Sequence, residues 1–143
     1  MTATYDVTKE SRVPRYGIFE IVLKSNRSYA NPFADIIVSA DIISPSGCRR
    51  KAYGFYDGGN VWRIRIAPGE VGKWTYTTAA GDAANTGLHG RTGSFICIAS
   101  SEKGFIHTDP VRKYRFSYDD GSPFYGMGDT CYGMVTGIRD SQR

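Results

Sequence analysis

Catalysis or metal binding by side chains requires titratable groups brought within a few ångströms of one another, and this chain holds few candidates. Its two histidines, His89 and His107, stand 18 positions apart, and neither has a carboxylate at the spacing of a metal site or a triad. Both read as surface or loop histidines, and no metal or cofactor is implied. Three cysteines, Cys48, Cys97 and Cys131, are odd in number and widely spaced, which fits free thiols better than a disulfide framework or a metal knuckle. Asp57-Gly58-Gly59-Asn60 offers oxygen donors. Calcium takes roughly six to eight oxygens, however, and a hairpin turn already explains these four residues. Asp119 and Asp120 are adjacent carboxylates, but neighbours on an extended strand point apart, and with Gly121 they read as turn formers. Asn26-Arg27-Ser28 is a glycosylation sequon by form, with no export signal beside it.

The elements that must carry these groups are bounded by bulk properties. At 143 residues the chain has room for one sizeable domain, and 41% hydrophobic with 13% aromatic residues places it among globular rather than disordered sequences. No run approaches the roughly 18 consecutive apolar residues of a membrane helix, so no membrane span is expected. The start, Met1 to Asp6, lacks a signal peptide, which leaves a cytoplasmic protein or one exported and processed. The net charge of +4 is modest. Two basic clusters, Arg49-Arg50-Lys51 and Arg112-Lys113 with Arg115, lack the long aromatic-interleaved stripe of a nucleic-acid binder and fit guarded sheet edges instead.

Along the chain the period is two. After a polar leader over residues 1–15, Phe19, Ile21 and Leu23 share one strand face. Ile36, Val38, Ala40 and Ile42 share another, and Tyr53 and Phe55 point alike in a third strand. Asp57–Asn60 turns that strand into Val61–Ile66, where Trp62, Ile64 and Ile66 face a core and Arg63 and Arg65 face water. Trp74 and Tyr76 alternate with Lys73, Thr75 and Thr77. The Gly-rich stretch 81–93 reads as the longest surface loop. Ser94–Ile98 is apolar enough to suggest cover on both faces. Short strands separated by turns about every 8–12 residues predict an antiparallel all-β sandwich, and no helix before residue 100. Trp62 and Trp74 are expected in the core, while Tyr29, Tyr56 and Tyr132 lie at corners, freer to form a platform or docking surface.

The last third carries shorter strands around Gly104–His107, Tyr114–Tyr118 and Pro123–Met127. Ile138–Arg143 resembles a helix start with Asp140 or Ser141 as its cap, after which the chain stops. A truncated or cleaved product is therefore expected.

Three phrases in order, Ser28-Tyr-Ala-Asn-Pro-Phe-Ala-Asp35, Gly54-Phe-Tyr-Asp-Gly-Gly-Asn60 with Trp62, and Ala67-Pro-Gly-Glu-Val-Gly-Lys-Trp-Thr-Tyr76, carry a resemblance. The region from about Gly17 to Thr130 resembles the N-terminal β-sandwich domain that precedes the catalytic barrel in apiosidase-like glycoside hydrolases. Asp120-Gly-Ser-Pro-Phe124 and Gly128-Asp-Thr130 are similar to the segment leading into the first barrel strand of those enzymes. Cys131-Tyr132 departs from the Ala-Trp that would follow.

The resemblance implies an immunoglobulin- or fibronectin-like sandwich over residues 16–118, and a linker with the start of a (β/α)8 barrel over 119–143. It places the catalytic carboxylates on later strands of that barrel, downstream of residue 143; separately, a glycosidase needs two carboxyls about 5–9 Å apart, and this chain offers no evident pair. It also implies that Asp129 follows the first barrel strand, where barrel active sites are built, as a substrate contact or a residue that orients a neighbour. The expected role is accessory: packing on the missing barrel of the same polypeptide and shaping its cleft. The rival role is a carbohydrate-binding or adhesion module acting alone.

Overall fold

The computed structural model describes residues 11–128. The chain divides into two compact units, Met1–Gly104 and Phe105–Arg143, and the described residues of both form strands without helix. Among them, accordingly, no helix is long and apolar enough to cross a membrane.

In the first unit, seven strands make one sheet. They are β1 (Arg12–Pro14), β2 (Phe19–Lys24), β3 (Val38–Ile43), β4 (Arg49–Gly58), β5 (Val61–Ile66), β6 (Gly72–Ala80) and β7 (Thr92–Ile98). Their order across the sheet is β1-β7-β6-β3-β4-β5-β2. All neighbours are antiparallel except β1, which runs parallel to β7 and buries Val13.

β4 makes the sheet curl. Its first half, Arg49–Tyr53, pairs with β3, and its second half, from Gly54, pairs with β5. Gly54 stands at the change of partner. A Cβ there would lie 2.9 Å from Ile64 Cγ1 and 3.0 Å from the Arg63 carbonyl oxygen, so a side chain would push the strands apart. The sheet bends far enough that β2, at one end, meets β7 from the other side. Phe19 stacks on Phe95 with ring centroids 3.9 Å apart, and the sheet is nearly closed, like a barrel.

Inside it sits the core that the alternation predicts. Ile21, Leu23, Val38, Ala40, Ile42, Trp62, Ile64 and Trp74 are all buried. The β4–β5 hairpin turns through Gly58, Gly59 and Asn60 at φ of 89°, 56° and 63°, a left-handed run that glycine and asparagine tolerate best.

Two expectations change. The stretch 81–93 is not merely a surface loop, because Asn85 and Leu88 are fully buried and close one end of the core. Nor is β7 covered on both faces. Phe95 and Cys97 are buried, whereas Ile98 is 39% exposed, so this strand alternates like its neighbours.

The second unit is a three-stranded antiparallel sheet of β8 (Ile106–Thr108), β9 (Phe116–Tyr118) and β10 (Pro123–Phe124), in the order β10-β9-β8. Tyr118 meets Phe124 edge to face at 5.6 Å. Strands this short cannot bury a core by themselves, and Ile106 and Phe116 remain about half exposed.

Candidate binding face

The curled sheet leaves one flank of β4, β5 and β2 facing solvent, and the ladder fixes what stands beside what. Phe55 is opposite Arg63, which is opposite Val22; Arg65 is opposite Glu20. The carboxylate of Glu20 accepts from both arginines, from Arg65 Nε at 2.8 Å and from Arg63 Nη1. Arg63 Nε also donates to Asp57 Oδ2 at 2.5 Å. The hydrogen bond from Arg65, more than any other contact, holds the Glu20 carboxyl below the usual carboxylate range; partial burial opposes it, and Arg63 adds to it. Asp57 first and Glu20 second make the Arg63 guanidinium still harder to deprotonate. The Arg65 guanidinium also lies 4.9 Å from the centre of the Phe55 ring, a cation–π contact.

Phe55 and its strand neighbour Tyr53 are 40% and 68% exposed. Toward the start of β4 the same face opens into a groove of about 560 Å3 beside Asp41, Arg49, Lys51, Thr75 and Thr77. Lys51 Nζ lies 3.7 Å from Asp41 Oδ1. Arg49, Arg50 and Lys51 belong to the half of β4 that pairs with β3 alone, so they flank an open edge.

Two of the aromatics expected to be free, Tyr29 and Tyr56, are not. The Tyr29 ring meets Trp62 edge-on at 6.0 Å, and its hydroxyl donates to Asp82 Oδ2 at 3.1 Å and accepts from Asn85 Nδ2 at 2.8 Å. Tyr56 packs between Phe33 and Trp62, at 5.3 and 4.7 Å. Both are half-buried by the core they lean on, and Tyr132 lies outside the described residues. Trp62 and Trp74 are in the core, at 2% and 5% exposure. On the outer face of β4 the exposed rings are Tyr53 and Phe55. Their direction was legible in β4, because they share strand parity with Arg49, Lys51 and Asp57, which must face water.

The remaining chemical candidates serve the backbone. Asp120 Oδ1 accepts from the Ser122 amide at 2.8 Å, and Asp119 Oδ2 from the Phe105 amide at 3.0 Å, as turn carboxylates do. His107 Nε2 lies 3.6 Å from Asp119 Oδ1. His89 Nδ1 lies 3.2 Å from both the amide and the carbonyl of Ala80. Cys48 is an exposed free thiol, and Cys97 a buried one whose pKa burial pushes up. Among the described residues no three His, Cys, Asp or Glu side chains converge as a metal site. Asp129 lies outside the described residues.

Residues 12–81, from β1 to just past β6, match the family model described as "Domain of unknown function (DUF5060)". Among solved structures, the chain is similar to one described as a putative glycoside hydrolase from Bacteroides vulgatus ATCC 8482, with 34% identity and a TM-score of 0.72. The likeness covers 86% of this chain and 23% of that one, so this chain spans about a quarter of the relative's length. No curated protein compared with the chain matches it.

Proposed function

We propose that this chain is the non-catalytic accessory domain of a glycoside hydrolase, which packs on the catalytic barrel of the same polypeptide and shapes its cleft. The observation that carries the proposal is the uneven coverage. A 34% identical likeness runs through 86% of this chain yet takes in 23% of a chain described as a putative glycoside hydrolase, leaving most of that chain to other parts. The exposed apolar side chains of the second unit support it. Val111, Tyr114, Tyr125 and Met127 are each more than three-quarters exposed, and a covering surface would bury them. The change of partner within β4 supports the finer reading of the first unit as an immunoglobulin- or fibronectin-like sandwich, whose strands pass between two sheets at such corners. Residues from 119 on would then be the linker into the barrel.

The reading frame that encodes the chain, with amide exchange on its product, tests the proposal. A frame that runs on for a barrel's length, with the amides of residues 105–128 better protected in the long product than in the 143-residue chain, is the result expected. A frame closing at Arg143, or equal protection in both, overturns it. For Asp129, we propose a substrate contact or a positioning role in the long product. Asp129→Asn should lower turnover or substrate affinity there, and unchanged kinetics would remove that role.

A further inference from the structure

The outer face of β4 carries an exposed stripe of charged and aromatic side chains. Arg49, Lys51, Tyr53, Phe55 and Asp57 are exposed in turn, with half-buried Ala52, Gly54 and Tyr56 between them. Side chains two apart on a strand repeat about every 6.5–7 Å on one face, so Arg49 to Phe55 form a line of roughly 20 Å. One end of the line is cationic. Among the described residues Arg49 has no carboxylate within ion-pair distance, and Lys51 has only the solvent-exposed Asp41; Arg50, opposite buried Ile42, belongs to the other face, where its charge acts on Glu70. The hydroxyls of Thr75 and Thr77 line the groove beside them. The other end is aromatic, with Phe55 held by Arg65 and Tyr53 more than two-thirds exposed. Guarding an open edge accounts for the charges but not for two large rings continuing the same line into solvent.

We propose that this stripe binds an acidic glycan: a chain of pyranose rings bearing carboxylate or sulfate groups, laid along β4. Its anionic groups meet Arg49 and Lys51, where the Arg49 guanidinium fork fits planar or tetrahedral oxyanions through paired N–H donors. Its ring faces lie on Tyr53 and Phe55, whose flat apolar surfaces are presented without rearrangement. The threonine hydroxyls and Asp41 exchange hydrogen bonds with sugar hydroxyls. A glycan suits the face better than nucleic acid does. The cations are confined to one end of the line, short of the continuous positive track that a phosphate backbone follows, and the rest of the line offers ring faces to sugar rings and the Asp41 carboxylate to sugar hydroxyls. This inference goes beyond the accessory role and stands or falls apart from it, since it concerns the outer face of the first unit alone.

Affinity electrophoresis of the 143-residue protein tests it, in gels holding polygalacturonate, chondroitin sulfate, dextran or oligouridylate. Retardation by polygalacturonate, by chondroitin sulfate or by both, but not by dextran, is expected, and the arm that responds identifies the anionic group. Arg49→Ala with Lys51→Ala, and separately Tyr53→Ala with Phe55→Ala, should each weaken retention by about tenfold or more. Circular dichroism checks that each variant is folded, and Tyr53→Ala alone replaces the aromatic pair if that pair is not. No retardation by either acidic glycan overturns the proposal. So does full retention by the aromatic variant, which would reduce the effect to bulk charge, and so does tighter binding of oligouridylate than of both glycans.

Discussion

Replacing Asn85 with alanine should destabilise the first unit by about 2–4 kcal/mol, far more than a change in a surface loop. Asn85 is fully buried, and its amide joins the 81–93 stretch to the strand exit after β2. Nδ2 donates to Ser25 Oγ at 2.7 Å and to Tyr29 Oη at 2.8 Å, and Oδ1 accepts from the Asn26 amide at 3.4 Å. The two short bonds contribute about 1 kcal/mol each. The void left by the buried amide, and the Tyr29 hydroxyl left with only Asp82, add about as much again. For a unit near 100 residues that is a fall in Tm of roughly 10–25 °C. Urea unfolding followed by tryptophan fluorescence reads it well, since Trp62 touches Tyr29 directly. Thr86→Ala, at the exposed bond from Asn26 Nδ2, is the control and should stay within about 0.5 kcal/mol of the wild type. A double-mutant cycle with Tyr29→Phe should return a coupling of about 0.5 kcal/mol or more. A loss below about 0.5 kcal/mol for Asn85→Ala, at an unchanged m-value, would refute the view that this stretch closes the core.

Glu20→Gln should cost about 0.5–1 kcal/mol at neutral pH, as a part-exposed ion pair does. Because the folded state holds the Glu20 carboxyl below its ordinary value, that stabilisation is complete above the ordinary value and fades as pH falls through the folded one; the wild-type and variant melting curves should therefore converge in acid, once pH is below the folded-state value. A gap that persists in acid would show that Glu20 acts by packing. Gly54→Ala should lose about 1–3 kcal/mol by forcing β4 off the Arg63 carbonyl, despite alanine's smaller backbone entropy cost, and a stabilised variant would refute the close approach. Under native conditions a maleimide should label Cys48 at once and Cys97 only on unfolding; peptide mapping by mass spectrometry separates the two sites.

Strand after strand, the fold was legible wherever one side of the alternation had to be wet. Arg63 and Arg65 fix the facing of Trp62, Ile64 and Ile66 without knowledge of any partner, and the paired glycines fix the turn before them. Legibility failed where a local pattern meets a distant contact. The composition of 81–93 is that of a loop, and only Ser25 and Tyr29, about 60 residues earlier, make Asn85 a buried residue. The apolar run of β7 looks doubly covered because β-branched Ile96 and Ile98 suit a half-exposed face as well as a buried one. Tyr29 and Tyr56 sit at corners, as their turn-rich surroundings suggest, but those corners fold back onto Trp62. The candidate face was half visible. Parity along β4 puts Tyr53 and Phe55 beside the charges, but the pairing of Arg65 with Phe55 and Glu20 depends on a register that no local signal sets.

The acids of this chain bear on the proposed accessory role. A glycosidase's general acid must stay protonated near neutrality, which calls for desolvation or a neighbouring negative charge to raise its pKa. Among the described residues, each carboxyl with a resolved shift moves the other way. Glu20 is held down by Arg65 and Arg63, Glu70 by the hydroxyl and amide of Ser46, and Asp109 by the amides of Arg112 and Val111. These are acids kept ionised to close ladders and turns. To recruit one as a proton donor, the fold would have to give up the bond that makes it useful. That is the physical ground for proposing that the sheet serves an active site by position and by surface, with the proton-transferring pair elsewhere in the polypeptide.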